Sequence, residues 1–549
     1  MSRPLRIVLS IFLSFLYSLA YTVVGPMIAS QNVVFESSMI FPFLICFILC
    51  FFANYLLFTF VPKIKFQAVH EKITRCLDKI GDRKLFFIVW AFIFVAWIPA
   101  FLILYPGVLS YDAISQTESA INGITNNHHP VMHTWLIGVF MKFGMDCFSR
   151  YEYGIGLLSL LQMIILSYSL TRLVFLLKKK NVHIILVIIT ALLSAFWFTN
   201  AVLSVSMIKD TLHAAFLVLF VCHFAEIVTE PSEYCKKKIN FVLLPLVSFF
   251  MCAFRNNGFH IYVFSFAFLA LLRITRVKKI KSFIPLIAVI ILPVVLFKVY
   301  SGPMFKTWNI AQGDMREGMC VPIQQLQRVS ALKNDELTDE QRDTLESYIL
   351  DCHDWMGYER NRAYTPFNAD PAKGWFYTAQ YKSNPVDFWK FYFQIGKQFT
   401  KTYIVAFLSN TLDFWYPGHY AFSYVMYNSY DPEKFCVPLY RMSIWDSKVL
   451  GPFYNDLCSS VFWRNAPVLR IFFVPGFSTW ILLYGLVLSW KKKGFFTKVF
   501  PLFLPLIGQY GIMLMCPIAS FRYSWPLYLL FPIMLLGVKN NSEKEEGLK

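Results

Sequence analysis

A single carboxylate, Asp112, follows shortly after a long apolar run. Pro106 and Gly107 interrupt that run, and both residue types are typical of a helix end. A carboxylate at the surface of a bilayer can accept the proton of an attacking hydroxyl, which is general-base catalysis. The structural alternative is that Ser110 or Asp112 caps a helix over residues 115–120, since both residue types are favoured at helix N-caps.

Three of the ten histidines lie close together, at His128, His129 and His133. His129 and His133 are one helical turn apart if Pro130 is the first residue of a helix. Two such ligands do not make a metal site, but imidazoles beside a carboxylate could bind a phosphate or donate a proton to a leaving oxygen. The alternative is packing at the junction between a loop and a helix.

Three cationic side chains, Lys209, Arg255 and Arg522, stand at the ends of apolar segments. Ionisable groups at membrane level are costly and tend to mark sites, and arginine can grip a phosphate with two parallel hydrogen bonds. Asn256 shares the turn of Arg255 and is a further candidate for positioning a substrate. The alternatives are side chains that reach up to lipid headgroups and a local pair between Lys209 and Asp210.

A later polar segment contains Gln324, Gln325 and Arg328. These side chains could line a groove for a sugar. The alternative is the polar face at the start of an amphipathic helix.

The elements that must position these residues are long apolar blocks. Of the 549 residues, 57% are hydrophobic and only 15% are charged, whereas soluble domains carry about a quarter charged residues. Blocks of about 20 apolar residues predict membrane-spanning helices. We therefore predict an all-α polytopic membrane protein with about twelve transmembrane helices, near residues 5–25, 39–61, 85–105, 153–177, 183–201, 205–225, 240–254, 258–272, 283–300, 471–490, 496–516 and 523–538.

The net charge of +18 is distributed unevenly over the predicted loops. Most of the excess Lys and Arg falls on one side of the predicted spans, and the positive-inside rule assigns that side, with both termini, to the cytoplasm. No basic stripe remains outside, so nucleic acid is excluded as a partner. The cytoplasmic loops are short and carry no nucleotide-binding motif.

Two extracytoplasmic loops are long enough to carry function. Residues 1–300 form a first region of about nine spans that includes the loop 106–152. Residues 301–470 form the second large loop, and residues 471–549 contain the last spans, about three, and a cytoplasmic tail. Four cysteines lie in the second loop and could form a disulfide: Cys320, Cys352, Cys436 and Cys458.

The order of the motifs resembles a family of bacterial multi-pass membrane proteins of unknown function, which is itself similar to GT-C glycosyltransferases. The resemblance extends from about residue 100 to the end of the chain. It is carried by Tyr105-Pro106-Gly107 through Asp112 and Gln116, His128-His129-Pro130 through His133-Thr134, Lys209-Asp210-Thr211, Arg255-Asn256-Asn257-Gly258, Val321-Pro322-Ile323-Gln324-Gln325 with Arg328, Asp413-Phe414-Trp415-Tyr416-Pro417, and Arg522-Tyr523 with Pro526.

GT-C enzymes transfer sugars from lipid-phosphate donors outside the cytoplasm, with a catalytic acidic residue in their first large external loop. The resemblance implies that Asp112 is that residue and that Lys209, Arg255 and Arg522 bind the donor phosphate. The chain departs from the pattern in two ways. Its loop follows the third span rather than the first, and Asp112 lacks the adjacent acidic partner of some members, so use of a divalent cation stays open.

The resemblance implies transfer of a sugar from a polyprenyl-phosphate donor of the undecaprenyl type to an extracytoplasmic glycan or cell-wall polymer. The setting would be a bacterial plasma membrane. The residues expected to position the substrates are His128, His129, His133, Asn256, Gln324, Gln325 and Arg328.

Three other functions compete with this one. A flippase or transporter of lipid-linked glycans would use the same cations but typically shows internal repeats, and none stands out. A glycan polymerase or ligase would share the donor and the large loop. A receptor or scaffold would not require a carboxylate, a histidine cluster and several cations on one side.

Overall fold

The computed structural model describes residues 3–30, 32–33, 36–60, 67–109, 111–273, 284–349, 364–419, 437, 439–458, 473–490, 492 and 494–538. Every regular element within these ranges is a helix, and pairing of extended segments is confined to isolated bridges. The prediction of an all-α protein is confirmed for this part of the chain.

The helices of the first region are α1 Arg3–Ser30, α2 Ile40–Phe60, α3 Gln67–Asp78, α4 Asp82–Ile103, α5 Tyr111–Asn122, α6 Val131–Phe148, α7 Tyr151–Lys179, α8 Ile184–Phe196, α9 Phe198–Ser204, α10 Lys209–Thr229, α11 Pro231–Lys236, α12 Asn240–Phe254, α13 Asn257–Arg273 and α14 Ile284–Val299. The later helices are α15 Phe305–Thr307, α16 Cys320–Lys333, α17 Asp339–Tyr348, α18 Asp370–Gly374, α19 Thr378–Ser383, α20 Pro385–Gln398, α21 Thr400–Asn410, α22 Leu412–Trp415, α23 Leu450–Leu457, α24 Pro475–Ser489, α25 Leu504–Leu514, α26 Phe521–Leu530 and α27 Met534–Val538.

Within the described ranges, seven helical segments are long and apolar enough to cross a membrane, so the chain is a multi-pass membrane protein. An eighth candidate is the pair α8 and α9, which bends by 51° at its break. The apolar helices α12, α13 and α24 are shorter than a full span. The seven segments are Arg3–Ser30, Ser37–Phe60, Asp82–Ile103, Tyr151–Lys179, Lys209–Thr229, Pro285–Thr307 and Phe495–Leu514.

Helix α10 lies at the centre of the bundle. In its most apolar stretch 89% of the residues are buried within the protein, against 6% in the segment that contains α2. Large side chains around α10, such as Trp97, Phe220 and Trp525, are fully buried. Because α10 is enclosed by protein, its first residue, Lys209, lies inside the bundle rather than on the lipid-facing surface.

A short parallel pairing joins the segments that lead into α5 and α10. The Val108 amide donates to the Val205 carbonyl at 2.9 Å, and the Met207 amide donates to the Val108 carbonyl at 2.9 Å. Backbone hydrogen bonds of this kind fix the register of two segments. The N-terminal ends of α5 and α10 are therefore held side by side.

Helix α7 supports this pairing with two polar side chains. Ser159 donates to the Pro106 carbonyl at 2.9 Å, and Gln162 donates to the Ser206 carbonyl at 2.9 Å. Both side chains are buried in a mainly apolar helix, where their hydrogen-bonding groups need partners. These two bonds tie α7 to the segments that lead into α5 and α10.

The first loop that we predict to be external contains a helical hairpin of α5 and α6, which packs on α7. Gly144 of α6 and Gly154 of α7 face each other so closely that a Cβ on either one would overlap the opposing backbone. Small residues at such a crossing allow two helices to approach closely.

The second region that we predict to be external contains α16 to α21 and is called the external region below. It has its own apolar core, which includes Leu326, Phe376 and Phe388. A capping box of Thr338 with Gln341 begins α17. Cys320 and Cys458 are free thiols. The other two cysteines considered for a disulfide, Cys352 and Cys436, lie outside the described residues.

This external region is attached to the membrane region at two places. The Ala369 amide donates to the Pro517 carbonyl at 2.8 Å, just before α26 begins. On the other side, the Asn127 amide donates to the Ala311 carbonyl at 2.9 Å, in the loop between α5 and α6. The region is therefore anchored to the segment that precedes α26 and, through the chain just before α16, to the loop between α5 and α6.

We predict that Gly107→Ala destabilises the protein, because a Cβ there would lie 2.6 Å from Ser159 Oγ and 2.7 Å from the Val205 carbonyl oxygen. Overpacking of this kind costs about 1–3 kcal/mol, measured as thermal unfolding in detergent. The matched control is Gly511→Ala in α25, which has no neighbour within 4 Å and should leave stability unchanged or slightly raised. Equal stability of Gly107→Ala and the wild type would contradict the close approach.

Candidate functional site

Asp112 lies between two cations from distant parts of the chain. Arg522 donates from Nη1 to Asp112 Oδ2 at 2.7 Å, and Lys209 Nζ lies 3.4 Å from the same oxygen. The three side chains are between 17% and 18% exposed, so they are largely buried yet reachable from solvent. The arrangement joins the carboxylate of the first external loop to two cations at the outer ends of helices.

The three residues share one structural position, because each lies in the first turn of its helix. Asp112 is in the first turn of α5, Lys209 begins α10, and Arg522 is the second residue of α26. Helix N-termini carry partial positive charge and unpaired backbone N–H groups. Their convergence, together with two cations, makes this part of the protein favourable for negative charge.

The electrostatic surroundings determine the protonation state of Asp112. Burial by itself would raise the pKa of the carboxyl, but Lys209 and Arg522 outweigh burial and hold the pKa of Asp112 well below its usual range. The carboxylate is therefore ionised at neutral pH. A carboxylate held this strongly is a weak base, so it needs release from its cations before it can accept a proton.

Asp112, Lys209 and Arg522 form a cluster, and His129 extends it on the side of Lys209. Lys209 Nζ lies 3.4 Å from His129 Nδ1, and because an ammonium can only donate, Nδ1 accepts and the ring proton is on Nε2. Burial and the charge of Lys209 lower the pKa of His129 to about 3. The neighbouring His128 is exposed, and its Nδ1 lies 3.9 Å from Glu317 Oε1 in the external region.

His133 faces a different partner from His129, although the two are four residues apart. Helix α6 begins at Val131, so His129 precedes the helix. His133 is fully buried and donates from Nδ1 to Gln116 Oε1 at 2.7 Å, and burial lowers its pKa to about 3. The Nδ1 atoms of the two imidazoles therefore have different partners, Lys209 for His129 and Gln116 for His133.

Arg255 is the third cation of the cluster and is more deeply buried than Lys209 and Arg522. It forms an ion pair with Asp210, and its guanidinium carbon lies 4.9 Å from the centre of the Tyr523 ring. Arg522 is at the same distance from that ring and donates to the Tyr523 hydroxyl at 3.1 Å. Lys209 and Asp210 do not pair with each other. Lys209 contacts Asp112, and Asp210 contacts Arg255.

The remaining predicted site residues lie in two places. Asn256 is half-buried in the turn next to Arg255. Gln324, Gln325 and Arg328 are at most 8% exposed, inside the external region. Gln324 donates to the Thr365 carbonyl at 2.7 Å, Gln325 to the Tyr403 carbonyl at 3.1 Å, and Arg328 to the Tyr364 hydroxyl, so these contacts hold the external region together.

Two members of the cluster, Asp210 and Tyr523, were not among the predicted site residues. Both are buried, at 0% and 9% exposure. Their positions next to Lys209 and Arg522 in sequence were the available signal. The partner that each one takes depends on contacts between helices that the sequence does not show.

Among the residues that the structure describes, no group of three or more His, Cys, Asp or Glu side chains comes together as a metal site. A cavity of about 920 Å³ lies between the C-terminal end of α5, helix α6 and the C-terminal end of the segment Pro285–Thr307. Val131 and Met132, which separate His129 from His133, line it. The other lining residues are mostly apolar and aromatic, and include Trp135, Tyr300 and Trp308.

The fold and this cluster define a multi-pass helical membrane protein with a largely buried carboxylate, Asp112, held between two cations. The chain belongs to a family of unknown function (DUF6020), whose sequence profile matches residues 122–548. The matched range includes Lys209, Arg255, Arg522 and the three histidines, and it begins after Asp112. No curated protein and no solved structure matches the chain.

We predict that His129 makes stability fall with acidification. Between pH 6.5 and about 3 the unfolded chain binds a proton at this residue that the folded protein does not bind, so the folded state loses stability as the pH falls through this window. One such group contributes at most about 1.4 kcal/mol per pH unit. In thermal melts at pH 4.5 to 7.5, His129→Gln should therefore show a shallower pH dependence than the wild type.

His128→Gln is the matched control for this measurement, because it removes an exposed imidazole at the adjacent position. It should keep the wild-type pH dependence of the melting temperature. Equal slopes for the wild type and His129→Gln would show that His129 is not held neutral in the folded protein.

Proposed function

We propose that the protein is a membrane glycosyltransferase that transfers a sugar from a polyprenyl-phosphate donor to an extracytoplasmic glycan. The observation that carries this proposal is the placement of Asp112 between Arg522 and Lys209, at 2.7 and 3.4 Å, where three helices begin. Such a site offers both the cations that bind a phosphate and a carboxylate that can act as a base.

The donor phosphate would bind where the Asp112 carboxylate now contacts the cations. Phosphate oxygens compete with the carboxylate for Arg522 and Lys209, and the converging helix N-termini favour the added negative charge. Displaced from its cations, the carboxylate regains the basicity that their charges suppress. Donor binding would thus activate the base.

In the transfer step, Asp112 takes the proton of an acceptor hydroxyl. The oxygen of that hydroxyl attacks the anomeric carbon of the donor. The bond between that carbon and the phosphate oxygen breaks, and the electron pair leaves with the polyprenyl phosphate. Arg522 and Lys209 stabilise the negative charge that develops on the leaving phosphate. His129, whose proton is on Nε2, can donate a hydrogen bond to either substrate.

The apolar cavity between α5 and α6 is where the lipid chain of the donor would bind. The cavity of about 920 Å³ has mostly apolar walls and lies at the outer end of a membrane span, which suits an isoprenoid chain. The external region above the cluster is the place for the acceptor glycan. In this proposal the shorter apolar helices complete about twelve spans, both termini are cytoplasmic, and the membrane is a bacterial plasma membrane.

The role of Asp112 distinguishes this function from the transport of lipid-linked glycans. A flippase would need Lys209 and Arg522 to hold the phosphate, but it has no use for a base. A polymerase or ligase would use the same base with a larger donor group.

We predict that Asp112→Asn abolishes sugar transfer while the protein stays folded, because the amide cannot accept the acceptor's proton. Purified protein would be incubated with radiolabelled polyprenyl-phosphate sugars and crude cell-wall glycan, and label moving from lipid to polymer would be measured. A loss of at least about 100-fold is expected for a general base.

Glu118→Gln is the matched control, because Glu118 is an exposed carboxylate on the same helix, α5. It should retain wild-type transfer. Full activity of Asp112→Asn would contradict the assignment of the base. An absence of transfer from every donor, together with movement of lipid-linked glycan across proteoliposomes, would favour the flippase.

A further inference from the structure

The charges of the cluster do not cancel. The side chains joined by ion pairs are three cations, Lys209, Arg255 and Arg522, and two carboxylates, Asp112 and Asp210. The difference is one positive charge. His129 adds none near neutral pH, because its pKa lies at about 3.

The two carboxylates differ in how firmly they are committed. Asp210 is 0% exposed, and its partner Arg255 is 9% exposed behind the Tyr523 ring. Breaking a fully buried ion pair leaves an uncompensated buried charge and is strongly unfavourable. This pair therefore stays closed, and Arg255 is not available to a ligand.

The accessible part of the cluster is thus Lys209, Arg522 and Asp112. Each is 17–18% exposed, and together they present two positive charges and one negative charge. An incoming anion can take the place of the carboxylate, but Asp112 remains next to it on α5.

We propose that this cluster selects a singly charged phosphodiester and that Asp112 is the residue that rejects a doubly charged diphosphate. The inference rests on the proposed function, and it specifies the donor as a lipid monophosphate sugar. One added negative charge neutralises the cluster. A second negative charge would face the Asp112 carboxylate, and among the described side chains of the cluster no cation is left to balance it. Specificity often depends on such a repulsive element.

Two lipid probes without a sugar test the proposal, since no transfer can then take place. Farnesyl methyl phosphate carries one charge and farnesyl methyl diphosphate carries two at neutral pH. Binding of each to the detergent-solubilised protein would be measured by calorimetry. The wild type should bind the monophosphate at least about tenfold more tightly, which corresponds to about 1.4 kcal/mol.

Removing the rejecting charge should change this ratio. Asp112→Asn should shift the preference towards the diphosphate by about tenfold, whereas the control Glu118→Gln should keep the wild-type ratio. If Asp112→Asn does not fold, the ratio in the wild type still decides, because the proposal requires a preference for the monophosphate.

The outcomes separate this inference from the proposed function. Equal or tighter binding of the diphosphate to the wild type would overturn the inference. If that binding is lost in Arg522→Gln, the phosphate site of the proposed function remains and a polymerase or ligase is favoured. If neither probe binds the wild type, both the inference and the phosphate site of the proposed function are wrong. A monophosphate preference that stays unchanged in Asp112→Asn would overturn the role given to Asp112.

Discussion

The ion pair between Asp112 and Arg522 joins residues that are 410 positions apart in the chain. Each partner lies in the first turn of a helix, and Lys209 at the start of α10 completes the group. Largely buried charges are tolerated only when they are paired. The packing of the first external hairpin, the central helix and the C-terminal helices must therefore bring these three helix ends together.

The backbone around the cluster is arranged to meet this requirement. The pairing of Val108 with Val205 and Met207 holds the starts of α5 and α10 together. At the other end, Trp525 donates to Asn200 at 2.9 Å, which ties α26 to α9. The hydrogen bond between Ala369 and Pro517 then joins the external region to the segment that precedes α26. Polar contacts within an apolar bundle thus fix the relative positions of the ends of the helices.

Much of the architecture follows from local sequence. Long apolar blocks predict α1, α2, α4, α7 and α10 because the membrane requires helices of that length, and the Thr338 capping box marks a helix start through its own hydrogen bonds. The candidate residues Asp112, Lys209 and Arg522 were recognisable because charges are rare in such a sequence.

What the sequence did not reveal depends on long-range contacts. The bend between α8 and α9 and the choice of Arg255 by Asp210 are decided by neighbouring helices. The inward direction of Gln324, Gln325 and Arg328 depends on how the external helices pack, because an amphipathic pattern does not show whether its polar face meets solvent or protein. His129 and His133 have different partners because the helix begins only at Val131, so that His129 precedes it.

The measurement that tests the central claim most directly is a cryo-electron microscopy structure with farnesyl methyl phosphate bound. The account predicts phosphate density between Lys209 and Arg522, with the Asp112 carboxylate moved away from the guanidinium. An intact contact between Asp112 and Arg522, with the phosphate bound elsewhere, would contradict it.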